Sequence, residues 1–348
     1  MASRTSMSDS LSKALPMSAP RPAILIARAV FPEIVEQLRE HFEVEHNPDD
    51  VIYSKAELTQ RLQGKAGAFT TGGDRVDGEV LAANPQLRIV ANMAVGYNNF
   101  DIAAFNAAGV WATNTPDVLT ESTADFGFAL MMAAARRMAE SEHFLRRGEW
   151  KKWAYDMFAG GDVHGSTLGI LGMGRIGQAI AKRGHHGFGM KVVYHNRSRL
   201  PAETEAAVGA TWVDKATLLA QADHLVLVLP YTPENHHCIA AAEIAQMKPT
   251  ATLTNIARGG IVDDAALAEA LRAGRIAAAG LDVFEGEPAL NPALLTVPNV
   301  VLTPHIASAT VATRRAMAQL AADNLIAVLG RGAAPLTPIN AGPFTPRA

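Results

Sequence analysis

Short apolar runs alternate with helix-forming segments along almost the whole chain. In the first third, apolar runs predict strands at residues 23–27, 66–69, 87–91 and 110–113, and a helix is predicted at 32–41. A second series of apolar runs predicts strands at 168–171, 191–194, 224–229, 251–255, 277–282 and 299–303. Because strands that alternate with helices form parallel sheets, the pattern predicts an α/β architecture.

Two longer segments favour helix without any strand signal. Residues 120–147 contain no proline, and their length suits a helix that links two domains. Residues 308–329 predict a second helix after the last strand. Residues 1–20 are rich in Ser, Met and Ala and lack the apolar centre of a signal peptide, so we expect a disordered tail there.

A glycine-rich turn lies between the apolar run at 168–171 and an Ala- and Ile-rich helix. Gly172, Gly174 and Gly177 have the G-x-G-x-x-G spacing of a dinucleotide site, with Arg175 and Ile176 at the predicted helix start. Such glycines allow a tight turn, a close approach to a pyrophosphate and close packing of helix on strand. Free N–H groups at the helix start then face the phosphates.

The position of this motif in the middle of the chain predicts an inserted nucleotide-binding domain. We expect two Rossmann-like or flavodoxin-like domains with parallel sheets. Residues 118–305 would form the NAD(P)-binding Rossmann domain, and residues 21–117 with 306–348 would form the substrate-binding, catalytic domain.

The end of the second strand of that domain indicates which nucleotide binds. An NAD site usually has Asp or Glu about 20 residues beyond the glycines, where it binds the ribose 2′-hydroxyl. Here Asn196, Arg197 and Ser198 occupy this place, and the first carboxylate is Glu203. Because a guanidinium and hydroxyls bind a 2′-phosphate that a carboxylate would repel, we predict a preference for NADP(H) and leave NAD(H) open. The alternative is that these are solvent-exposed loop residues.

Composition and charge exclude several classes of protein. The 348 residues are 49% hydrophobic, which supports a large buried core in two domains. A net charge of −3 and the lack of a long basic run argue against nucleic-acid binding. No apolar run reaches the roughly 18 residues of a membrane helix. The single Cys238 excludes a disulfide framework and fits a reducing cytoplasm.

Three polar residues each follow a predicted strand. Arg258 follows 251–255, Glu287 follows 277–282, and His305 follows 299–303. In open α/β sheets, ligands bind outside the carboxyl ends of the strands, so these side chains could converge beside a nicotinamide. Taken singly, each has a strong alternative, since loops at strand ends are usually polar.

These segments together resemble the D-isomer-specific 2-hydroxyacid dehydrogenase family. The resemblance runs in family order from about residue 23 to residue 330. Its motifs are VGYNNFD at 95–101, NTP at 114–116, TAD at 123–125, the glycine-rich turn, NIARGGIVD at 255–263, DVF at 282–284, Glu287-Pro288 and TPH at 303–305. Within the family, segments 148–150 and 162–165 together with Trp153 are most similar to bacterial glyoxylate/hydroxypyruvate reductases, also called 2-ketogluconate reductases.

The resemblance implies an NADPH-preferring reductase that converts glyoxylate, hydroxypyruvate and 2-ketogluconate to D-2-hydroxy acids. Arg258 and the backbone N–H groups of Val95 and Gly96 would hold the substrate carboxylate. His305 would be the general acid, hydrogen-bonded to Glu287. Asp282 would anchor the cofactor amide or position Arg258. The remaining residues implied to line the cofactor site, beside Arg258 and His305, are Thr123, Leu229, Pro230, Ile256, Ala257 and Ala307.

The resemblance also implies a homodimer, in which Trp153 reaches the active site of the partner subunit or is simply a core residue. Two other functions stay open: an enzyme similar to D-3-phosphoglycerate dehydrogenase, and a nucleotide-sensing binding protein similar to the corepressors that share the fold. The run from His236 to Cys238 invites a metal site. Since no further ligand has zinc-like spacing, we predict no metal.

Overall fold

The structure, a computed structural model, describes residues 21–342; the predicted tail at 1–20 lies outside the described residues. Two sheets form, and every strand pair in them is parallel, which confirms the predicted α/β class. None of the helices between residues 21 and 342 has both the length and the apolar character needed to cross a membrane.

The first sheet has five strands in the order β2-β1-β3-β4-β5, the flavodoxin-like order. Its strands are β1 (Ala23–Ile26), β2 (Glu43–His46), β3 (Gly67–Thr70), β4 (Ile89–Asn92) and β5 (Trp111–Thr113). Its connecting helices are α1 (Pro32–His41), α2 (Lys55–Arg61), α3 (Gly78–Ala83) and α4 (Ile102–Ala108).

The second sheet has seven strands in the order β12-β11-β10-β9-β6-β7-β8, which is the Rossmann order with one added strand. Its strands are β6 (Thr167–Leu171), β7 (Lys191–His195), β8 (Ala210–Trp212), β9 (His224–Leu227), β10 (Thr252–Asn255), β11 (Ala278–Leu281) and β12 (Val300–Leu302). Its helices are α5 (Thr120–Ala135), α6 (Met138–Arg146), α7 (Arg175–Lys182), α8 (Ala202–Ala207), α9 (Lys215–Gln221), α10 (Ala241–Ile244) and α11 (Asp264–Arg272).

The last helix returns to the first sheet. Helix α12 (Val311–Leu325), extended by a π-helical turn (Ile326–Gly330), packs its apolar side chains with those of β1 and β3. Beyond it, Asn340 accepts a hydrogen bond from the Ala112 N–H and donates one to the Val110 carbonyl, both 2.9 Å long. Both ends of the described chain therefore belong to the five-stranded sheet.

The predicted helix at 120–147 is wrong in one respect, because it is two helices. Arg137 has a φ of 52° and lies between α5, which ends at Ala135, and α6, which begins at Met138. In that conformation the Arg137 guanidinium forms two 2.8 Å hydrogen bonds to the Glu140 carboxylate. A non-glycine residue in the left-handed region is uncommon, and nothing in the apolar pattern of the segment indicates it.

All strands of the second sheet point the same way, so the loops at their carboxyl ends share one edge. These loops carry the glycine-rich turn after β6, the Asn196 loop after β7, the Leu229 loop after β9, and the three catalytic candidates after β10, β11 and β12. Local capping supports this placement: Asp263, just beyond the Arg258 loop, accepts 3.0 Å hydrogen bonds from two N–H groups of the first turn of α11.

Candidate active site

The glycine-rich turn is shaped by close contacts at two glycines and by open space at the third. A Cβ at Gly172, whose φ is 102°, would lie 2.7 Å from the Leu229 backbone nitrogen. A Cβ at Gly177 would overlap the Gly172 carbonyl oxygen, whereas Gly174 has no atom within 4 Å of its ideal Cβ. Gly174 precedes α7 without a side-chain cap, so the first N–H groups of that helix are available to an anion.

Some polar residues of the loop after β7 form hydrogen bonds within the protein, and others are exposed to solvent. Asn196 accepts a 2.7 Å hydrogen bond from the Met173 N–H and so fixes the glycine-rich turn. Arg199 is bound to the buried Glu205 carboxylate at 2.7 and 2.9 Å. Arg197 and Ser198 are exposed, and Arg197 forms no hydrogen bond or ion pair with any described residue. Arg197 is therefore the guanidinium of this loop that is free to bind a ligand.

Helix α5 brings a buried hydroxyl to the same region. The Thr123 Oγ1 atom is buried and has no hydrogen-bond partner among the described residues. Gly127, one turn later, packs against Ile256, which follows β10. An unpaired buried hydroxyl is costly unless a ligand satisfies it. This hydroxyl and the open face of Gly174 are compatible with a dinucleotide bound at the predicted residues.

Arg175 has a role that the sequence does not reveal. Its Nε lies 2.6 Å from the Asp117 carboxylate, and both side chains are about two-thirds exposed. Asp117 has a φ of 69° and lies where the chain leaves the five-stranded sheet. Arg175, predicted as a cofactor-site residue, therefore also joins the start of α7 to the connection between the sheets.

Arg258 crosses from the seven-stranded sheet to a loop of the five-stranded sheet. Its Nε donates to the Asn98 side-chain oxygen at 3.3 Å, and any Cβ at Gly96 would overlap its guanidinium. The backbone N–H groups of Val95 and Gly96 donate to no other described residue. Burial lowers the pKa of Arg258, and the charge of Glu287 opposes that shift. A guanidinium and two free N–H groups thus lie together, as carboxylate binding requires.

His305 and Glu287 form the predicted pair. The His305 Nδ1 atom lies 2.7 Å from a Glu287 carboxylate oxygen, and the second oxygen accepts the Phe284 N–H at 3.1 Å. Burial pushes the pKa of Glu287 upward, but the hydrogen bond and charge of His305 outweigh it and hold the pKa below its usual value. With Nδ1 bound to the carboxylate, the Nε2 atom of His305 is the one left to exchange a proton with a substrate.

Asp282 lies beneath His305 rather than beside Arg258. Its fully buried carboxylate accepts hydrogen bonds from the Ile306 N–H, the Ala307 N–H and the Thr303 hydroxyl at 2.7 to 2.8 Å. The His305 N–H donates to the Asp282 carbonyl at 2.9 Å, and His305 itself has a φ of 53°. No hydrogen bond joins the described Asp282 and Arg258 side chains, so the structure does not support the expectation that Asp282 positions Arg258.

Two asparagines that support Arg258 are absent from the sequence-based set. Asn98 accepts from Arg258, as described above. Asn255, at the end of β10, accepts the Ala257 N–H at 3.0 Å and donates to the Arg258 carbonyl at 3.2 Å. Asn255 is buried, and a buried amide at the carboxyl end of a strand is the signal that could have identified it.

Trp153 and the run from His236 to Cys238 lie apart from the predicted catalytic residues in their contacts. Trp153 is 75% exposed and makes no hydrogen bond to the other site residues described here. Spacing along the chain shows no further ligand beside His236 and His237, but folding brings Glu285 to these two histidines. Cys238, in contrast, is half-buried and packs against the core of the seven-stranded sheet.

Comparisons with known proteins agree with this geometry. Residues 128–307 match the family model described as the D-isomer specific 2-hydroxyacid dehydrogenase, NAD binding domain. The glyoxylate reductase of Thermococcus onnurineus is 48% identical over 324 residues, which are 92% of this chain and 96% of that protein.

Solved structures give the same result. The NADPH-dependent glyoxylate/hydroxypyruvate reductase of Sinorhizobium meliloti, in complex with NADP and malonate, has a TM-score of 0.82 and 37% identity, covering 94% of this chain and 99% of that one. The TT0316 protein of Thermus thermophilus has a TM-score of 0.83 and 42% identity, covering 91% and 99%. The chain therefore belongs to the D-isomer-specific 2-hydroxyacid dehydrogenase family and is an NAD(P)-dependent oxidoreductase.

Proposed function

We propose that this protein is an NADPH-preferring reductase of small 2-keto acids, with glyoxylate, hydroxypyruvate and 2-ketogluconate as its candidate substrates and D-2-hydroxy acids as its products. The observation that carries the proposal is the 2.7 Å His305–Glu287 contact on the same sheet edge as Arg258. The relatives named glyoxylate reductase support the choice of substrate.

Different site residues bind the substrate and transfer the proton during reduction. Arg258 and the free N–H groups of Val95 and Gly96 bind the substrate carboxylate and fix its orientation. When bound, a reduced nicotinamide would supply the hydride for the carbonyl carbon. His305 gives its Nε2 proton to the carbonyl oxygen, and Glu287 stabilises the imidazolium before that transfer. In the reverse direction, neutral His305 accepts the hydroxyl proton.

The preference for NADPH rests on Arg197. Arg199 is held by Glu205, whereas Arg197 is exposed and forms no hydrogen bond or ion pair with a described residue. The charge of Arg197 does help to lower the pKa of Glu234. A guanidinium pairs strongly with a phosphate. Arg197→Glu should therefore lower kcat/KM with NADPH by at least about tenfold and leave kcat/KM with NADH within about twofold. Arg331→Glu, at another exposed arginine, is the matched control. Wild-type efficiency that is equal or better with NADH would overturn the preference.

A substrate panel tests the reaction itself. Purified protein should oxidise NADPH with glyoxylate and hydroxypyruvate, and chiral chromatography of a product from a prochiral keto acid should show the D-isomer. A marked preference for 3-phosphohydroxypyruvate would replace the proposal with a phosphoglycerate dehydrogenase-like function. Tight NADPH binding without turnover of any keto acid would favour the alternative of a nucleotide-sensing binding protein.

The division into domains is part of the same proposal. Residues 118–305 would bind NADP(H), and residues 21–117 with 306–348 would bind the substrate. The apolar clusters support this division: one set joins β1–β5 with α12, and the other lies within the seven-stranded sheet and its helices.

A homodimer is proposed from the surface around α6. Met138, Leu145, Trp150, Trp153 and Tyr155 are each more than half exposed. Clustered large apolar side chains on a surface mark an interaction site. Light scattering after size exclusion should give the mass of two chains, and Trp153→Ala should raise KM for the keto acid if this side chain reaches the partner's site. A monomeric mass would exclude both statements.

A further inference from the structure

A cluster of possible metal ligands lies beside the active site and has no part in the proposed reduction. His236 and His237 belong to the loop that follows β9, and Glu285 follows β11. We call these three residues the His–His–Glu cluster. Their ligand atoms all lie within 4.8 Å of one another.

The distances within the cluster suit one small ion. The His237 Nε2 atom lies 2.8 Å from one Glu285 oxygen, and the His236 Nε2 atom lies 3.9 Å from the other. In a tetrahedral zinc site with bonds of about 2.0 to 2.1 Å, neighbouring ligand atoms are about 3.3 Å apart. The observed distances lie on either side of this value, so the three ligand atoms are close enough to share one ion once the side chains turn toward it.

The backbone arranges two adjacent histidines to face the same way. His237 has a φ of 51°, and its N–H donates to the Gly260 carbonyl at 2.7 Å. The two imidazole rings are stacked, with centroids 3.9 Å apart and planes 21° apart, so one ring must turn out of the stack for both Nε2 lone pairs to point at one ion. Residues other than glycine rarely adopt this conformation, and it is concentrated at functional sites.

A second contact directs the lone pair of His236 toward the cluster. The Tyr231 hydroxyl lies 3.3 Å from the His236 Nδ1 atom. When Nδ1 donates to the tyrosine oxygen, Nε2 carries the lone pair that a metal needs. Metal-binding histidines are typically held in this way by a partner on the other ring nitrogen.

We propose that the His–His–Glu cluster binds one divalent transition-metal ion per chain. Two imidazole nitrogens and one carboxylate are the ligands of open Zn²⁺ sites, and imidazole also suits Ni²⁺ and Cu²⁺. Mg²⁺ and Ca²⁺ prefer oxygen ligands and should bind poorly. Water would complete the coordination, because the histidines and Glu285 are a third or more exposed.

The position of the cluster gives the ion a structural consequence. Glu285 is two residues before Glu287, and Gly260, which accepts the His237 N–H, is two residues after Arg258. A bound ion would therefore join the loop of Glu287 to a neighbour of the Arg258 loop. This effect is separate from the proposed reduction, since the ion contacts neither Arg258, Glu287 nor His305.

Metal binding is tested directly, without substrate or nucleotide. Full-length protein, freed of any affinity tag and treated with chelator, is titrated with ZnCl₂ and NiCl₂ by isothermal calorimetry. We expect one site per chain for the wild type and a loss of affinity of at least about tenfold in both His237→Gln and Glu285→Gln. MgCl₂ should give no comparable heat.

Two control variants keep the test specific. His143→Gln removes another exposed histidine, which lies 3.9 Å from the Glu142 carboxylate without a third ligand. Cys238→Ser removes the neighbouring thiol. Both should bind Zn²⁺ as the wild type does, and all variants should keep their metal-free Tm. The proposal fails if the wild type binds no more tightly than His237→Gln and Glu285→Gln, or if His143→Gln loses as much affinity.

Discussion

The glycine-rich turn and the catalytic candidates lie on the same edge of the seven-stranded sheet but are built in opposite ways. The turn depends on side chains that are missing, since backbone atoms lie where Gly172 and Gly177 would place a Cβ. The catalytic candidates depend on side chains held by other side chains, as His305 is held by Glu287. An added atom should damage the first region, whereas a lost hydrogen bond should damage the second.

The largest expected effect lies on the catalytic side. His305→Ala removes the proton donor and should lower kcat by roughly 10²–10⁴, the usual contribution of general acid–base catalysis. NADPH affinity, measured by fluorescence titration, should change little, because the glycine-rich turn is untouched. A variant with near-normal kcat would remove His305 from the mechanism and with it the contrast between the two regions.

Asp264, which holds the loop of Glu285 next to the catalytic candidates, should make the free energy of unfolding depend on pH. The buried Asp264 carboxylate accepts the Glu285 N–H at 3.1 Å, and burial, with the charges of Glu285 and Asp263, raises its pKa to about 6. The folded-state pKa lies above the unfolded value of 3.8, so ionisation of Asp264 opposes folding. Asp264 should therefore lower the free energy of unfolding between about pH 4 and pH 6, by at most ~3 kcal/mol.

Urea unfolding across this pH range measures the effect. Asp264→Asn has no carboxyl proton to lose, so its free energy of unfolding should fall less over the same interval and exceed that of the wild type at pH 8. Parallel pH profiles for the two proteins would contradict the assignment to Asp264.

Two glycine variants test the glycine-rich turn, the region that depends on missing side chains. Gly177→Ala places a methyl group on a backbone oxygen and should cost roughly 1–3 kcal/mol of stability even without cofactor. Gly174→Ala meets no atom within 4 Å, so its Tm should stay near that of the wild type while its NADPH affinity falls. Equal losses of Tm in the two variants would show that the turn is not divided in this way.

The smallest effect on activity should come from a change at Asp282, whose carboxylate lies beneath His305. Asp282→Asn replaces one of two acceptor oxygens with an amide donor, so either the Ile306 or the Ala307 N–H loses its partner. We expect kcat to fall about tenfold with a shifted pH–rate profile and little change in KM. Asp263→Asn is the control, because asparagine caps a helix as well as aspartate does. An unmoved pH–rate profile would reduce Asp282 to a purely structural role.

The sequence predicts those parts of the fold whose signals are local. Apolar runs locate ten of the twelve strands, including the edge strands β5 and β12, but β2 and β8 are not predicted. The β2 strand has the polar sequence EVEH and no buried residue, and β8 has three residues of which one is buried. Neither strand therefore carries an apolar run that could identify it.

The same distinction holds in the candidate site. The spacing of the glycines is a local pattern, and Arg258, Glu287 and His305 each follow a strand. The contact of Arg258 with Asn98 joins residues 160 positions apart, and the His–His–Glu cluster joins two loops 48 positions apart. Such pairs depend on tertiary folding, which single-sequence patterns do not report.

The return of α12 to the first sheet has a consequence for the newly synthesised chain. The apolar face formed by Ile24, Ile26 and Phe69 is covered in part by Ala318, Ala322 and Leu325, which are translated after the inserted sheet. The seven-stranded sheet, in contrast, draws its core from residues 124–302 and can close before α12 is made. During translation the five-stranded sheet therefore keeps an apolar face uncovered until α12 emerges, and chaperones would recognise such a face.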